Sequence, residues 1–236
     1  MPQAGHPADA PGPLAFVADL ARPALAADDH HHLERVVRLR VGDPLTVADG
    51  AGAWRTARFA PDVPGALTDL GPEMRLPEAT PALAVGFALV KGDKPELIVQ
   101  KLTELGIDRI VPFRAERSVV RWDDAKAAKA VTRLRSVARA AAMQCRRPRL
   151  PVIDDVADLP TLVAGGAAMA DRGGAPPSLA TPFVLVGPEG GWSPGEAALH
   201  APRVALGPHI LRAETAALTL GALLAALRVG LVGRSD

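Results

Sequence analysis

Residues 183–227 read FVLVGPEGGWSPGEAALHAPRVALGPHILRAETAALTLGALLAAL, and this stretch decides the fold. The apolar run from Phe183 to Val186 has the make-up of a buried strand, and it stops at Gly187-Pro188-Glu189-Gly190-Gly191. Glycines there let the backbone take φ > 0 and turn its N–H and C=O groups toward whatever lies against them. A second run, Arg203 to Leu206, stops the same way at Gly207-Pro208. The loop from His209 to Arg212 then enters a helix that begins near Ala213-Glu214-Thr215. Two glycine loops at strand ends, one of them entering a helix, are the layout of a small-molecule site in an α/β sheet. Taken alone, GPEGG also fits an ordinary tight turn.

Working outward, Ala82 to Val90 (ALAVGFALV) is a nearly unbroken apolar run, as expected of a strand covered on both faces. Pro95 to Leu105 reads as a helix, with Leu97, Ile98, Lys101, Leu102 and Leu105 near 3.6 spacing and Gly106 at C′. Arg109–Pro112 reads as a strand. Asp123–Arg146 reads as a long helix whose core stripe is Val131, Leu134, Val137, Ala138 and Ala141. Leu150–Ile153 and Thr161–Ala164 are expected to be further strands. This alternation predicts a largely parallel sheet over residues 77–236.

Residues 1–76 read differently. Residues 1–13 are proline-rich and expected to be a loose tail. Short β-like runs follow at Ala15–Ala18, Leu45–Ala48, Trp54–Phe59 and Gly65–Leu70. Turn signals separate them at Gly42-Asp43-Pro44, Asp49-Gly50 and Pro64-Gly65. Asp29–Leu39 is the exception, a short helix with Leu33, Val36 and Val37 on one face and Asp28 or Asp29 as its N-cap. A small β-barrel with one helix is expected, joined to the second domain by the linker Gly71–Pro81.

Hydrophobic residues make up 48% of the chain, which argues for a globular fold. The N-terminus lacks a basic-then-apolar leader pattern. The longest apolar run, Ala216–Leu227, is too short for a bilayer, so a cytoplasmic protein with no membrane partner is expected. A single cysteine, Cys145, argues against disulfides and a cysteine zinc site. His30 to His32 are neighbours that point apart on a helix, and no metal is expected there. Net charge is +1, yet residues 91–149 hold 15 Lys and Arg against 7 Asp and Glu. That local balance of +8 suits a phosphate-bearing partner, and equally a solvated basic face.

GPEGGWSPGE followed by LGPHILRAETAAL resembles the RsmE family of RNA methyltransferases, within the knotted SPOUT superfamily. HHLERVVRLRVGD (His31–Asp43) and KGDKPELIVQKLTELGIDRIVPFRAERSVVRWD (Lys91–Asp123) resemble the same family in the same order. The resemblance implies an α/β protein: an N-terminal PUA-like RNA-binding β-barrel, then an α/β-knot methyltransferase domain with a trefoil knot. It further implies a homodimer that uses S-adenosylmethionine to methylate N3 of a uridine in small-subunit (16S) ribosomal RNA, naked or as assembled subunit. A knotted methyltransferase with another RNA target, or a non-catalytic RNA-binding factor, are the alternatives. The intact GPEGG and ILRAETA loops speak against the latter. Departures from the family pattern include His209, where Arg is usual, Trp192, where Phe or Leu is common, and Arg146, where Gly is usual.

No Gly-Lys-Ser/Thr phosphate loop and no Gly-x-Gly-x-x-Gly spacing is present, so nucleotide phosphate chemistry is not expected. The cofactor residues implied are Leu185, Val186, Gly187, Pro188, Glu189, Gly190, Gly191, Leu206, Gly207, His209, Ile210, Leu211 and Thr215. A third wall is expected in a loop around Ala168–Asp171. For chemistry, Arg212 is expected to stabilise negative charge on the uracil oxygens, and Glu189 or Glu214 to orient the base or take its N3 proton. Glu214 also fits a first-turn carboxylate favoured by the helix dipole. RNA contacts are expected from His31, His32, Arg35, Arg38 and Arg40 in the first domain, and from Arg114, Arg117, Arg121, Arg146, Arg147 and Arg149 in the second.

Overall fold

The computed structural model describes residues 5–60 and 65–233. Its contacts divide into two compact units: the chain up to Glu78 together with Arg139–Leu150, and Ala79–Ala138 together with the chain from Pro151 onward.

The first unit is a five-stranded sheet with one helix. Its elements are β1 (Leu14–Phe16), α1 (Ala27–His32), β2 (Pro44–Ala48), β3 (Ala53–Phe59), β4 (Leu67–Thr68) and β5 (Met74–Arg75). β1 lies parallel to β2, β2 pairs antiparallel with β3, and β4 and β5 both pair with β3. Leu45 and Val47 pack with Leu33, Ala57 and Phe59, while Ala48 packs with Leu14, Phe16, Trp54 and Ala142. The sheet is therefore covered on both faces, and residues after Arg139 supply part of the cover.

Three expectations change here. The helix starts after Ala26 rather than at an aspartate cap, and continues as one π turn over Leu33–Val37. Leu33 is buried, but Val36 and Val37 are exposed. Asp29 is buried because Arg139 grips it, Nη1 to Oδ1 at 2.9 Å and Nη2 to Oδ2 at 2.6 Å. The described part of the expected loose tail is held in place. Pro7–Asp9 forms a 3-10 turn capped by His6, and the Arg146 guanidinium donates to the carbonyls of Pro7 and Gly12 and to Thr46 Oγ1. Residues 1–4, and Pro64 of the expected Pro64-Gly65 turn, lie outside the described residues.

The second unit contains β6 (Ala84–Ala88), α2 (Lys94–Glu104), β7 (Arg109–Arg114), α3 (Asp124–Gln144), β8 (Val152–Ile153), β9 (Ala157–Asp158), α4 (Leu159–Ala164), β10 (Ala168–Ala175), β11 (Phe183–Val186), α5 (Pro194–Ala197), β12 (Arg203–Val204) and α6 (Ala213–Arg228). The last turns of α3, from Arg139, belong to the first unit. The sheet is parallel throughout, in the order β12-β10-β11-β6-β7-β8, with β9 also on β7. Alternation along the strands divides the core. Val184 and Val186 face a cluster with α2, α3 and α6, while Leu185 faces one with Phe113, Met169 and α4. At Gly221 a Cβ would come within 2.5 Å of Leu102, so glycine is what lets α6 lie against α2. Leu97, expected on the inner face of α2, is 40% exposed.

Two assignments on this sheet are corrected. Thr161–Ala164 is not a strand but part of α4, whose start is marked by Asp158 at the N-cap and Pro160 in the first turn. The loop expected around Ala168–Asp171 is instead β10. It has three apolar residues before AspArgGlyGly, too few to show a strand period.

Candidate active site

The middle of β10 and the C-terminal ends of β11 and β12 meet the N-terminus of α6 around a cleft of about 360 Å³. That volume falls within the range of small-ligand pockets. Residues 170–172, 186–189, 191–192, 206–207 and 209–211 line it, together with Ala197 of α5 and Ala213 and Ala216 of α6. Val186, Leu206, Leu211 and Ala216 give apolar walls, and Gly187, Gly191 and Gly207 present bare backbone.

The loop after β11 is braced by its neighbours. Trp192 donates Nε1–H to the Ala170 carbonyl at 3.0 Å and stacks on Phe113, with ring centroids 6.2 Å apart. A Cβ on Gly187 would sit 3.0 Å from that indole, so a side chain there would have to push the ring aside by a few tenths of an ångström. Arg117 donates to the carbonyls of Gly190 (3.2 Å) and Trp192 (3.1 Å). Gly191 takes φ +67°. Ser193 then caps α5 in a capping box with Glu196, whose Oε1 also accepts the Glu116 N–H at 2.8 Å.

Lys94 links the two carboxylates singled out in the sequence. Its ammonium donates to Glu189 Oε1 at 3.0 Å and lies 3.2 Å from Glu214 Oε2. The second contact is an ion pair by distance but lacks hydrogen-bond geometry, and that Glu214 oxygen is buried with no aligned donor. The hydrogen bond from Lys94 holds the Glu189 carboxyl below its ordinary value, and Glu189 and then Glu214 hold the Lys94 ammonium above its own. Sequence reasoning missed Lys94. Its signal was faint but physical: a lysine in the first helical turn opposes the helix dipole and so implies nearby carboxylates.

Of the cofactor residues expected, 186–189, Gly191, 206, 207 and 209–211 line the cleft. Three do not. Leu185 faces the opposite core, Gly190 backs onto Arg117, and Thr215 is exposed outside. Trp192, Asp171 and Arg172 join the lining. Arg212 is exposed at the N-cap position of α6, and its guanidinium has no hydrogen bond or ion pair among the described residues.

The expected RNA contacts fall into two groups. His31, His32, Arg35, Arg38, Arg40 and Arg121 are exposed. Arg114 pairs with Asp124 and Asp158, Arg117 holds the glycine loop, Arg149 pairs with Glu78, and Arg147 has interactions of its own. Arg146 departs furthest from expectation, since it is half-buried and spent on the N-terminal segment.

A family described as "RNA methyltransferase domain" matches residues 77–225. The ribosomal RNA small subunit methyltransferase E of Mycobacterium tuberculosis is 35% identical over 221 residues, covering 83% of each chain. That of Bacillus subtilis is 30% identical over 220 residues, covering 83% of this chain and 86% of its own. The chain belongs to the ribosomal RNA small subunit methyltransferase E family. A Neisseria gonorrhoeae member of the family, solved bound to S-adenosyl methionine, is 25% identical with a TM-score of 0.75, covering 91% of this chain and 97% of its own. The mixed α/β architecture with its parallel sheet is thus the fold of this methyltransferase family.

Proposed function

We propose that this chain is an S-adenosylmethionine-dependent methyltransferase that acts on N3 of a uridine in 16S ribosomal RNA. The observation that carries the reading is the meeting of the two glycine loops, separate in sequence, around one cleft that Glu189 and Lys94 flank. The residues suit the cofactor. Exposed backbone at Gly187, Gly191 and Gly207 offers hydrogen bonds for adenine and ribose, the apolar walls suit the ring, and Glu189 and Asp171 suit a sulfonium cation. When bound, S-adenosylmethionine supplies the methyl group. Positioning by the two loops does most of the remaining work.

Uracil N3 carries a proton at neutral pH, so the chain must stabilise an anion and accept that proton. Arg212, whose guanidinium has no hydrogen bond or ion pair among the described residues and which stands between cleft residues Leu211 and Ala213, is assigned to the uracil oxygens. Glu189, kept ionised by Lys94, is assigned to orient the base or accept the proton, and Glu214 shares Lys94 with it.

Family membership supports reading residues 77–236 as an α/β-knot domain with a trefoil knot, and residues 1–76 as a PUA-like RNA-binding domain. The exposed His31, His32, Arg35, Arg38 and Arg40 suit phosphate contacts there. It also supports a cytoplasmic homodimer working on the small subunit. No helix among the described residues is long and apolar enough to cross a membrane.

Calorimetry with S-adenosylmethionine on wild type and on Gly187→Val, followed by transfer to small-subunit RNA and mass mapping of the product, tests the reading. The expected result is binding that the substitution abolishes, and a methyl group on uracil N3. No binding by folded wild type sinks the enzyme reading; a methyl group on another base sinks the N3 assignment.

A further inference from the structure

The second unit holds another cavity, of about 480 Å³, that the assigned chemistry leaves unused. It opens where the chain leaves the C-terminal end of β7, the edge of a parallel sheet at which ligands bind. Val120, Leu159 and Pro160 give it apolar walls, and the half-buried ring of Trp122 is part of the lining. The Trp122 indole N–H makes no hydrogen bond among the described residues, and the exposed Arg121 has neither hydrogen bond nor ion pair.

Acidic groups on the wall are largely engaged. Asp158 faces Arg114 at 3.7 Å, and the two Glu196 oxygens accept the N–H groups of Glu116 and Ser193 at 2.8 and 2.9 Å. Glu116 itself has an exposed side chain. What remains on offer is a flat aromatic face, one N–H donor and one cation. That set suits a nucleotide, with its base stacked on the indole and its phosphate on the guanidinium.

Position supplies the second argument. Glu196 lines this cavity, while the next residue, Ala197, lines the cofactor cleft. The two spaces are therefore neighbours across α5, a single helical turn about 10–12 Å wide with its side chains. A single strand that delivers one base to the cleft brings nearby nucleotides past the second cavity.

We propose that this cavity receives an unstacked base of the RNA substrate close in sequence to the methylated nucleotide, with Trp122 as its stacking face and Arg121 on its phosphate. The inference rests on the reading that the substrate is RNA. The test measures S-adenosylmethionine affinity and the KM for small-subunit RNA on the full chain, for wild type, Trp122→Ala, Trp122→Phe and Arg121→Met. Trp122→Ala is expected to raise KM about tenfold or more, as loss of one stacked base does. Phenylalanine should restore most of it, Arg121→Met should raise KM and flatten its salt dependence, and cofactor affinity should stay within about twofold. An unchanged KM in Trp122→Ala overturns the assignment. So does a loss as large in Trp122→Phe, or one fully matched by weaker cofactor binding, which would mean the cavity acts through the separate contacts of Arg117 and Glu196 that hold residues 187–193. A wild type that neither binds S-adenosylmethionine nor transfers methyl overturns instead the methyltransferase reading beneath it.

Discussion

The loop after β11 and the loop after β12 face each other across the same cleft, yet they are held in opposite ways. Residues 187–192 are fixed from outside by Arg117, by the Trp192–Ala170 bond, by the Ser193–Glu196 box and by Lys94. Residues 206–211 make no hydrogen bond to the rest of the described chain, and Ile210 is 82% exposed. A braced wall keeps its shape without a ligand. An unbraced one takes its shape from what binds. On the function proposed above, the first would position the cofactor, and the second would take its shape on binding and present Arg212 to the base.

The largest expected effect separates chemistry from stability on the open side. Arg212→Met should lower kcat by about 10²-fold or more while leaving the melting temperature unchanged, since the guanidinium makes no hydrogen bond or ion pair among the described residues. An equal loss in stability would show that Arg212 is structural. Next comes the braced side, where function and stability should fall together. Glu196→Ala strands the N–H groups of Ser193 and Glu116 and should cost about 2–4 kcal/mol in chemical denaturation. Cofactor affinity should drop with it, and a stability loss without an affinity loss would break the link between brace and cleft.

A smaller effect concerns pH. The lowered Glu189 carboxyl contributes stability above its unfolded value, about 4.3, which is lost as pH falls through its folded value. The raised Lys94 ammonium contributes below about 10.4, and that is lost as pH rises through its folded value. Lys94→Met removes the second and the largest cause of the first, so the acid limb of the kcat/KM profile should move to higher pH; coincident limbs would exclude Glu189 from catalysis. The nearby charges are Lys91 on the loop after β6, Lys94 at the start of α2, Glu189 on the loop after β11 and Glu214 on α6. The smallest effect is kinetic. Amides of residues 206–211 should exchange rapidly in the free chain and slow on adding S-adenosylmethionine, whereas those of 187–192 should change little.

The same contrast explains what the sequence let one read. Glycines at strand ends mark both loops, and strands such as ALAVGFALV betray a doubly covered sheet, because these are local signals. The braces are not local: Arg117 reaches Gly190 across 73 residues, Lys94 reaches Glu189 across 95, and Arg146 reaches Pro7 across 139. Arginine in a basic stretch looks the same whether it will meet a phosphate or a buried carbonyl, which is why Arg146 and Arg117 read as RNA contacts. β10 escaped because its apolar part is three residues long, and α4 because Thr161–Ala164 is too short to distinguish a strand from a helical turn.

The position of the indoles has a practical consequence. The chain has three tryptophans and no tyrosine, so its near-ultraviolet emission comes from Trp54, Trp122 and Trp192. Trp192 lines the cleft proposed for the cofactor, Trp122 lines the cavity beside it, and Trp54 is sealed in the core of the first unit. Three single-tryptophan versions would thus carry native optical labels. If the two assignments hold, one would brighten or dim with cofactor and one with RNA, while the third would shift colour when the first unit unfolds.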